Sequence, residues 1–72
     1  MTSLQCNFLP IYAGLIALLI ASYSNKGVIA RSDISRGGDH IFATVEFDDE
    51  TEADLFEADA LCLTNYNIEI TK

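Results

Sequence analysis

The most prominent chemical feature of this sequence is a run of carboxylates. The stretch DDETEADLFEADALC, residues 48–62, places seven acidic side chains among its first twelve positions and contains no basic residue. These carboxylates are Asp48, Asp49, Glu50, Glu52, Asp54, Glu57 and Asp59. Such a run could coordinate calcium, face a basic partner, or form the solvated side of a helix.

A calcium site requires a spacing of oxygen ligands that this run lacks. The EF-hand loop follows the pattern D-x-[DN]-x-[DN]-G and turns sharply at its central glycine. The acidic run has no glycine, and helix-forming residues occupy the positions where the loop would turn. A structural zinc site lacks ligands as well, because the chain has one histidine and no CxxC motif. We therefore predict no metal and no cofactor.

Candidate catalytic groups are sparse. Asp39 and His40 are adjacent in the segment GGDH, and Cys6 and Cys62 could serve as nucleophiles. Catalysis requires a base and its orienting partner to meet in space, and adjacency in the chain does not produce that geometry. The glycines of RGG, residues 36–38, match no phosphate-binding loop and are typical of a hairpin turn. We predict that the protein is not an enzyme and that both thiols are reduced.

The charge balance constrains the kind of partner. Eleven acidic residues against four basic ones give a net charge of −7, and half of the residues are apolar. The apolar fraction argues against a disordered acidic tail. Nucleic acids and anionic lipid headgroups both require clustered Lys and Arg, so the composition argues against both ligands. It favours a protein partner with a basic surface.

The acidic run is predicted to form a helix over residues 49–63. Asp48 or Asp49 can cap its N-terminus, and acids in the first turn complement the helix dipole. Like charges four residues apart, such as Asp48 and Glu52, repel each other by roughly 0.2–0.5 kcal/mol. A helix that retains this repulsion faces either solvent or a basic partner, and in the second interpretation all seven carboxylates bind the partner. The residues predicted to form its buried stripe are Ala53, Leu55, Phe56, Ala60, Cys62 and Leu63.

The first 25 residues carry no charged side chain. The stretch FLPIYAGLIALLIASYSN, residues 8–25, is predicted to form a helix that Asn7 caps and Gly27 ends. Apolar residues surround this helix, so one small sheet cannot cover it, and a second copy or another protein is expected to cover the rest. The residues predicted to make this contact are Tyr12, Ile16, Leu19 and Tyr23.

The same segment admits a membrane interpretation. Its uninterrupted apolar part, residues 8–21, has about 14 residues, whereas a spanning helix needs about 20. A short span would include the flanking uncharged residues, and Lys26, Arg31 and Arg36 would then place the acidic half in the cytoplasm. A single-pass membrane accessory protein is therefore the alternative to a cytoplasmic protein.

The rest of the chain alternates apolar and polar residues in strand-like fashion. Residues 28–47 are predicted to form a hairpin that turns at SRGGDH, and residues 66–71 a final strand. The inward-facing residues of the second hairpin strand are predicted to be Ile41, Ala43, Val45 and Phe47. The predicted order is α-β-β-α-β. Residues 1–72 are thus predicted to form a single α+β domain with two helices and a three-stranded, mainly antiparallel sheet.

These features favour a small non-enzymatic interaction protein. In size, acidity and lack of catalytic residues, the chain is like the small inhibitors that viruses and mobile elements direct against nucleic-acid-processing proteins. That likeness of type predicts an inhibitor in the host cytoplasm whose carboxylates occupy a basic groove in place of phosphates. The apolar helix favours a homo-oligomer or a structural subunit of a larger assembly as the alternative.

Overall fold

The computed structural model describes all 72 residues of the chain. They form four strands, two α-helices and one 3₁₀ turn. In chain order these are β1 (Thr2–Phe8), the 3₁₀ turn (Pro10–Tyr12), α1 (Ala13–Asn25), β2 (Ile29–Gly37), β3 (His40–Phe47), α2 (Glu50–Leu63) and β4 (Ile68–Thr71). The predicted α+β class is confirmed, with one strand more than expected.

The sheet is antiparallel throughout, and its strand order is β2-β3-β1-β4. The central strand β1 pairs with β3 on one side and with β4 on the other. Each helix therefore connects two strands that are separated by a third, so that two βαβ units interleave. This is the connectivity of the split βαβ, or ferredoxin-like, arrangement.

The strand β1 is the main departure from the predicted order. The segment predicted as one helix over residues 8–25 begins instead with the last residue of a strand, and α1 starts only at Ala13. Asn7, the predicted cap, lies within β1 opposite Phe42 and Glu69. Alternation explains the strand, because every second side chain of β1 enters the core while its neighbours remain polar. The buried residues of β1 are Leu4, Cys6 and Phe8.

Both helices cover the same face of the sheet and share one core with it. Three aromatic rings form its centre: Phe56 lies 5.3 Å from both Tyr23 and Phe47, and Tyr23 lies 6.2 Å from Phe47, measured between ring centroids. Edge-on and tilted contacts of this kind stabilise aromatic clusters. The other core residues are Leu4, Cys6, Phe8, Ile16, Ile20, Ala43, Val45, Ala53, Ala60 and Ile68.

The hairpin of β2 and β3 matches its prediction. Ala43, Val45 and Phe47 are buried and Ile41 is half-buried, on the predicted inward side. The turn between the strands uses Gly38 at φ 62°, a left-handed conformation that glycine adopts without steric penalty.

The last strand begins two residues later than predicted. Asn65 and Tyr66 both have positive φ, 54° and 67°, and the amide of Tyr66 donates to the Leu61 carbonyl at 2.8 Å as α2 ends. This left-handed turn places Tyr66 before the strand and leaves its side chain exposed, whereas residues 66–71 were all predicted to be strand. Residues that a longer strand would include therefore belong to the turn that ends α2.

The acidic helix α2 is capped by Asp49, one of the two predicted caps, and has only half of its predicted buried stripe. Asp49 Oδ1 accepts a hydrogen bond from the Thr51 amide at 2.9 Å, which satisfies an unpaired donor of the first turn. The residues of the stripe that are buried are Ala53, Phe56 and Ala60, and those that are exposed are Leu55, Cys62 and Leu63. The prediction was too wide because the helix rests on a small sheet, which covers one narrow side of it.

Candidate protein-binding surface

The inner side of α1 belongs to the domain's own core. Ile16 and Tyr23 are buried, and Tyr12 and Leu19 are half-buried against the same core. Of the four residues predicted to contact a partner, Ile16 and Tyr23 are therefore enclosed by the domain's own core, whereas Tyr12 and Leu19 keep part of their surface open. All four lie at helical spacing along one side, as predicted, but that side packs on the sheet and on α2 instead of facing outward.

The outer side of α1 and of the 3₁₀ turn before it is apolar and uncovered. Ile11, Leu15 and Leu18 follow each other at helical spacing and are 79, 40 and 71% exposed. The small residues between and beside them are exposed as well, and no charged side chain occurs in this part of the chain. Isolated exposed apolar residues are ordinary on protein surfaces, whereas a contiguous stripe is a feature of interaction sites.

Helix α1 does not have the dimensions of a membrane span. It comprises 13 residues, and no helix in the structure combines enough length with enough apolar character to cross a bilayer. The membrane interpretation requires residues 8–12 to be part of this helix, whereas Phe8 ends β1 and Pro10–Tyr12 form the 3₁₀ turn.

The second helix also carries exposed apolar side chains. The two helices run antiparallel, since Tyr23 contacts Asp59 while Lys26, one turn further along α1, lies near Glu52 at the start of α2. Leu55 and Leu63 on α2 are 49 and 45% exposed. We call the outer side of the helical layer the helical face; its large apolar residues are Ile11, Leu15, Leu18, Leu55 and Leu63.

A polar junction joins the helices beside the helical face. Tyr23 Oη donates a hydrogen bond to Asp59 Oδ2 at 2.7 Å. Lys26 Nζ lies 4.4 Å from the centroid of the Tyr23 ring and 3.6 Å from Glu52 Oε2. Burial and the hydrogen bond to Asp59 both raise the pKa of Tyr23 above its usual value, so the phenol stays protonated. Two of the seven predicted partner-binding carboxylates therefore bind within the chain.

Two further carboxylates of α2 have intramolecular roles. Asp54 Oδ1 accepts a hydrogen bond from Lys72 Nζ at 2.7 Å, and Asp49 caps the helix through the Thr51 amide. The carboxylates without a hydrogen bond or ion pair in the structure are Asp48, Glu50 and Glu57. The unengaged negative charge therefore concentrates at the N-terminal end of α2, where Asp48 and Glu50 are exposed.

The candidate catalytic residues do not converge. His40 is exposed at the start of β3, Asp39 is exposed in the preceding turn, and neither side chain makes a hydrogen bond to the other. No group of three or more His, Cys, Asp or Glu side chains is arranged to hold a metal ion.

The two cysteines are free thiols in opposite environments. Cys6 is buried in β1, where burial and, to a smaller degree, the Glu57 carboxylate raise the pKa of its thiol to about 11. Cys62 is exposed on α2. The prediction that Cys62 is a core residue is wrong, and Cys6 occupies the core instead.

Sequence reasoning missed the open face of the sheet, because it missed β1. A shallow cavity of about 310 Å³ on this face is lined mainly by polar side chains, namely Gln5, Asn7, Thr44, Glu69 and Thr71 together with Phe42 and part of Cys6. Asn7 Oδ1 lies here, buried and without a hydrogen-bond partner. The alternation of Ser3, Gln5 and Asn7 with apolar residues was the available signal.

Comparison of the chain with models of protein families, with curated proteins and with solved structures finds no match.

Proposed function

We propose that this chain is a small, non-enzymatic protein-binding domain that docks its helical face onto a partner protein. The single observation that carries the proposal is the apolar outer side of α1 and of the 3₁₀ turn before it, on which Ile11 in the turn and Leu18 in the helix are 79 and 71% exposed. A domain of this size leaves much of its surface open to solvent, but it does not need to align large aliphatic side chains there.

The energetics support docking through this surface. Fully burying one large aliphatic side chain contributes about 1.5–3 kcal/mol, so covering the exposed parts of Ile11 and Leu18 contributes roughly 2–4 kcal/mol. Leu15, Leu55 and Leu63 add to this sum, which must offset the loss of translational and rotational freedom on association. An apolar centre with a polar border is the usual anatomy of a protein interface.

The charges near the helical face define the chemistry of the partner. Asp48 and Glu50 are exposed and unengaged at the N-terminal end of α2, and the whole chain carries −7. The partner that fits combines an apolar groove with a basic border, such as a protein that itself binds nucleic acid. In that case the chain acts as an inhibitor that covers the basic surface, and its acidity raises the rate of encounter.

The test compares two substitutions that add the same charge on opposite sides of the domain. Leu18→Asp places a carboxylate in the helical face, and Gln5→Glu places one on the open face of the sheet. Proteins captured from the native cell by the wild-type chain are purified, and their affinity for each variant is measured by calorimetry. Leu18→Asp is expected to weaken binding at least about tenfold, or about 1.4 kcal/mol, while Gln5→Glu leaves it unchanged.

Circular dichroism of both variants provides the control for folding, since both positions are exposed in the structure. Equal affinity of the wild type and Leu18→Asp for every captured protein would contradict the proposal. The proposal would also be contradicted if Leu18→Asp captured every protein that the wild-type chain captures.

A further inference from the structure

The strand β2 is the long uncovered edge of the sheet. It spans Ile29–Gly37, whereas the other edge, β4, has only four residues. Every residue of β2 after Ile29 is exposed. An edge strand presents a row of unpaired backbone N–H and C=O groups, which can pair with a further strand. The length of β2 makes it the side of the domain where the sheet can be extended.

The charge distribution favours this edge for contact between two copies of the chain. The two lysines pair with carboxylates of α2, and the two arginines, Arg31 and Arg36, lie on β2 without an ion pair. With Asp33 as its one acid, β2 has a formal charge of +1 in a chain of −7. Two such acidic molecules repel each other least when they approach through this strand. Helix α2 packs on β1, β3 and β4, so the acidic helices remain at the far ends.

The residues of β2 select one antiparallel register. The β-bulge between Ile29 and Arg31 interrupts pairing there, which leaves Arg31–Gly37 as the regular stretch. A register centred on Ile34 uses that whole stretch, opposes Ile34 to its own copy, and opposes no like charges. A register centred on Asp33 would oppose two aspartates, and one centred on Ser32 would require pairing through the bulge. Bulges and charges on an edge strand disfavour indiscriminate pairing. The register centred on Ile34 avoids the bulge and places no like charges opposite each other.

We propose that two copies of the chain pair through β2, with a two-fold axis at Ile34 and a continuous eight-stranded antiparallel sheet. Ile34 is 51% exposed, and its register partner Ala43 points into the core, so the side chain of Ile34 lies on the helical side of the sheet. Contact with its own copy removes this apolar side chain from water. The axis is perpendicular to the sheet, so the helices of both copies lie on one side and the two helical faces point in the same direction. A partner with two adjacent sites would then bind bivalently.

The test uses introduced cysteines in a Cys62→Ser background, in which the remaining native thiol, Cys6, is buried. Ile34→Cys places two thiols directly opposite each other at the axis, within the Cα separation that a disulfide requires. The matched control, Ser32→Cys, is two residues away on the same strand and the same side. In this register its two copies are about 13 Å apart. Mild oxidation is expected to link Ile34→Cys into a reducible dimer and to leave Ser32→Cys monomeric.

Sedimentation equilibrium of the unmodified chain over a concentration series completes the test. Pairing through β2 is supported if the chain forms a dimer, if Ile34→Asp abolishes this dimer, and if Leu18→Asp preserves it. A monomer at all concentrations overturns the inference. A dimer lost in Leu18→Asp but kept in Ile34→Asp also overturns it, because the helical faces would then be the contact. Equal cross-linking at positions 32 and 34 overturns the register. None of these results depends on the foreign partner of the proposed function.

Discussion

Tyr23 and Asp59 join the two helices through a 2.7 Å hydrogen bond, in which the phenol donates to the carboxylate. The ring of Tyr23 simultaneously contacts Phe47 and Phe56 in the centre of the core. One side chain therefore combines an apolar role in packing with a polar role between helices. The hydrogen bond also gives Asp59 a role inside the domain, as an acceptor. The presence of this acid on α2 therefore does not require a partner protein.

The two roles of Tyr23 are separable by substitution. Tyr23→Phe keeps the ring and removes the donor, so we expect a loss of about 0.5–1.5 kcal/mol in the free energy of unfolding. Tyr23→Ala also removes the ring from the core and should cost about 3–5 kcal/mol. Urea unfolding followed by circular dichroism measures both. Equal losses in the two variants would show that packing of the ring contributes nothing.

Stability is expected to fall in alkaline solution. Burial raises the pKa of Cys6 from 9.0 to about 11 and also raises the pKa of Tyr23. The unfolded chain therefore releases these protons first, and the free energy of unfolding decreases as the pH rises above about 9. The Cys6 thiol alone accounts for about 2 kcal/mol by pH 11. Urea midpoints measured between pH 8 and pH 11 test this, and a midpoint constant over that range would contradict it.

The two thiols are expected to differ in reactivity. Cys62 is exposed and should react rapidly with iodoacetamide at pH 8, whereas Cys6 is buried with a raised pKa and should react only when the domain unfolds. Intact mass after short labelling should show one adduct in the native protein and two in urea. Two adducts at equal rates in the native protein would contradict the position of Cys6 in the core.

Substitutions at two residues with left-handed backbone conformation are expected to change the stability of the domain in opposite directions. Tyr66 has φ 67°, which costs a side chain other than glycine about 1–2 kcal/mol. Tyr66→Gly should therefore stabilise the domain, by about 1 kcal/mol at most, since glycine also increases the entropy of the unfolded chain. Gly27 ends α1 at φ 77° with no atom within 4 Å of an added Cβ. Gly27→Ala should destabilise by about 1 kcal/mol for conformational reasons alone. Thermal unfolding of the pair checks the two signs.

Binding to a basic partner should depend on the unengaged carboxylates. Asp48→Lys is expected to slow association and to reduce its dependence on salt, because charges at the border of an interface act mainly on the rate of encounter. Asp54→Asn is the comparison, since Asp54 is already paired with Lys72 at 2.7 Å. Surface plasmon resonance at two ionic strengths measures the rates. Equal association rates for both variants and the wild type would argue against a basic border on the partner.

The sequence predicted the fold well where one pattern dominated a segment. The alternation in residues 40–47 indicated a strand, and Asp48 or Asp49 indicated a capped start of a helix. Both predictions are confirmed, with Asp49 as the cap. Two patterns competed in residues 2–12. The alternation of Leu4, Cys6 and Phe8 favours a strand, whereas the apolar run that begins at Phe8 favours the helix that forms further on. Only pairing with β3 and β4, both remote in sequence, makes this segment a strand.

The candidate site was less predictable because it depends on which side of each helix meets the sheet. Helix α1 is apolar on every side, so its sequence could not distinguish Ile16, which is buried, from Leu18, which is 71% exposed. Leu55 and Leu63 on α2 were predicted to belong to the buried stripe of an acidic helix, but both lie outside the narrow side that meets the sheet. Hydrophobicity indicates that a residue can be buried, whereas the tertiary arrangement of the elements determines that it is.

The central position of β1 has a consequence for how the domain folds. Thr2 pairs with Phe47, and Phe8 pairs with both Ile41 and Ile68, so every contact of this strand closes a long loop. Loop closure loses chain entropy before the pairing energy is gained, and domains with many such contacts fold slowly. Only the β2–β3 hairpin and the two helices can form from local contacts. We expect their assembly around β1 to limit the folding rate, with β4 completing the sheet.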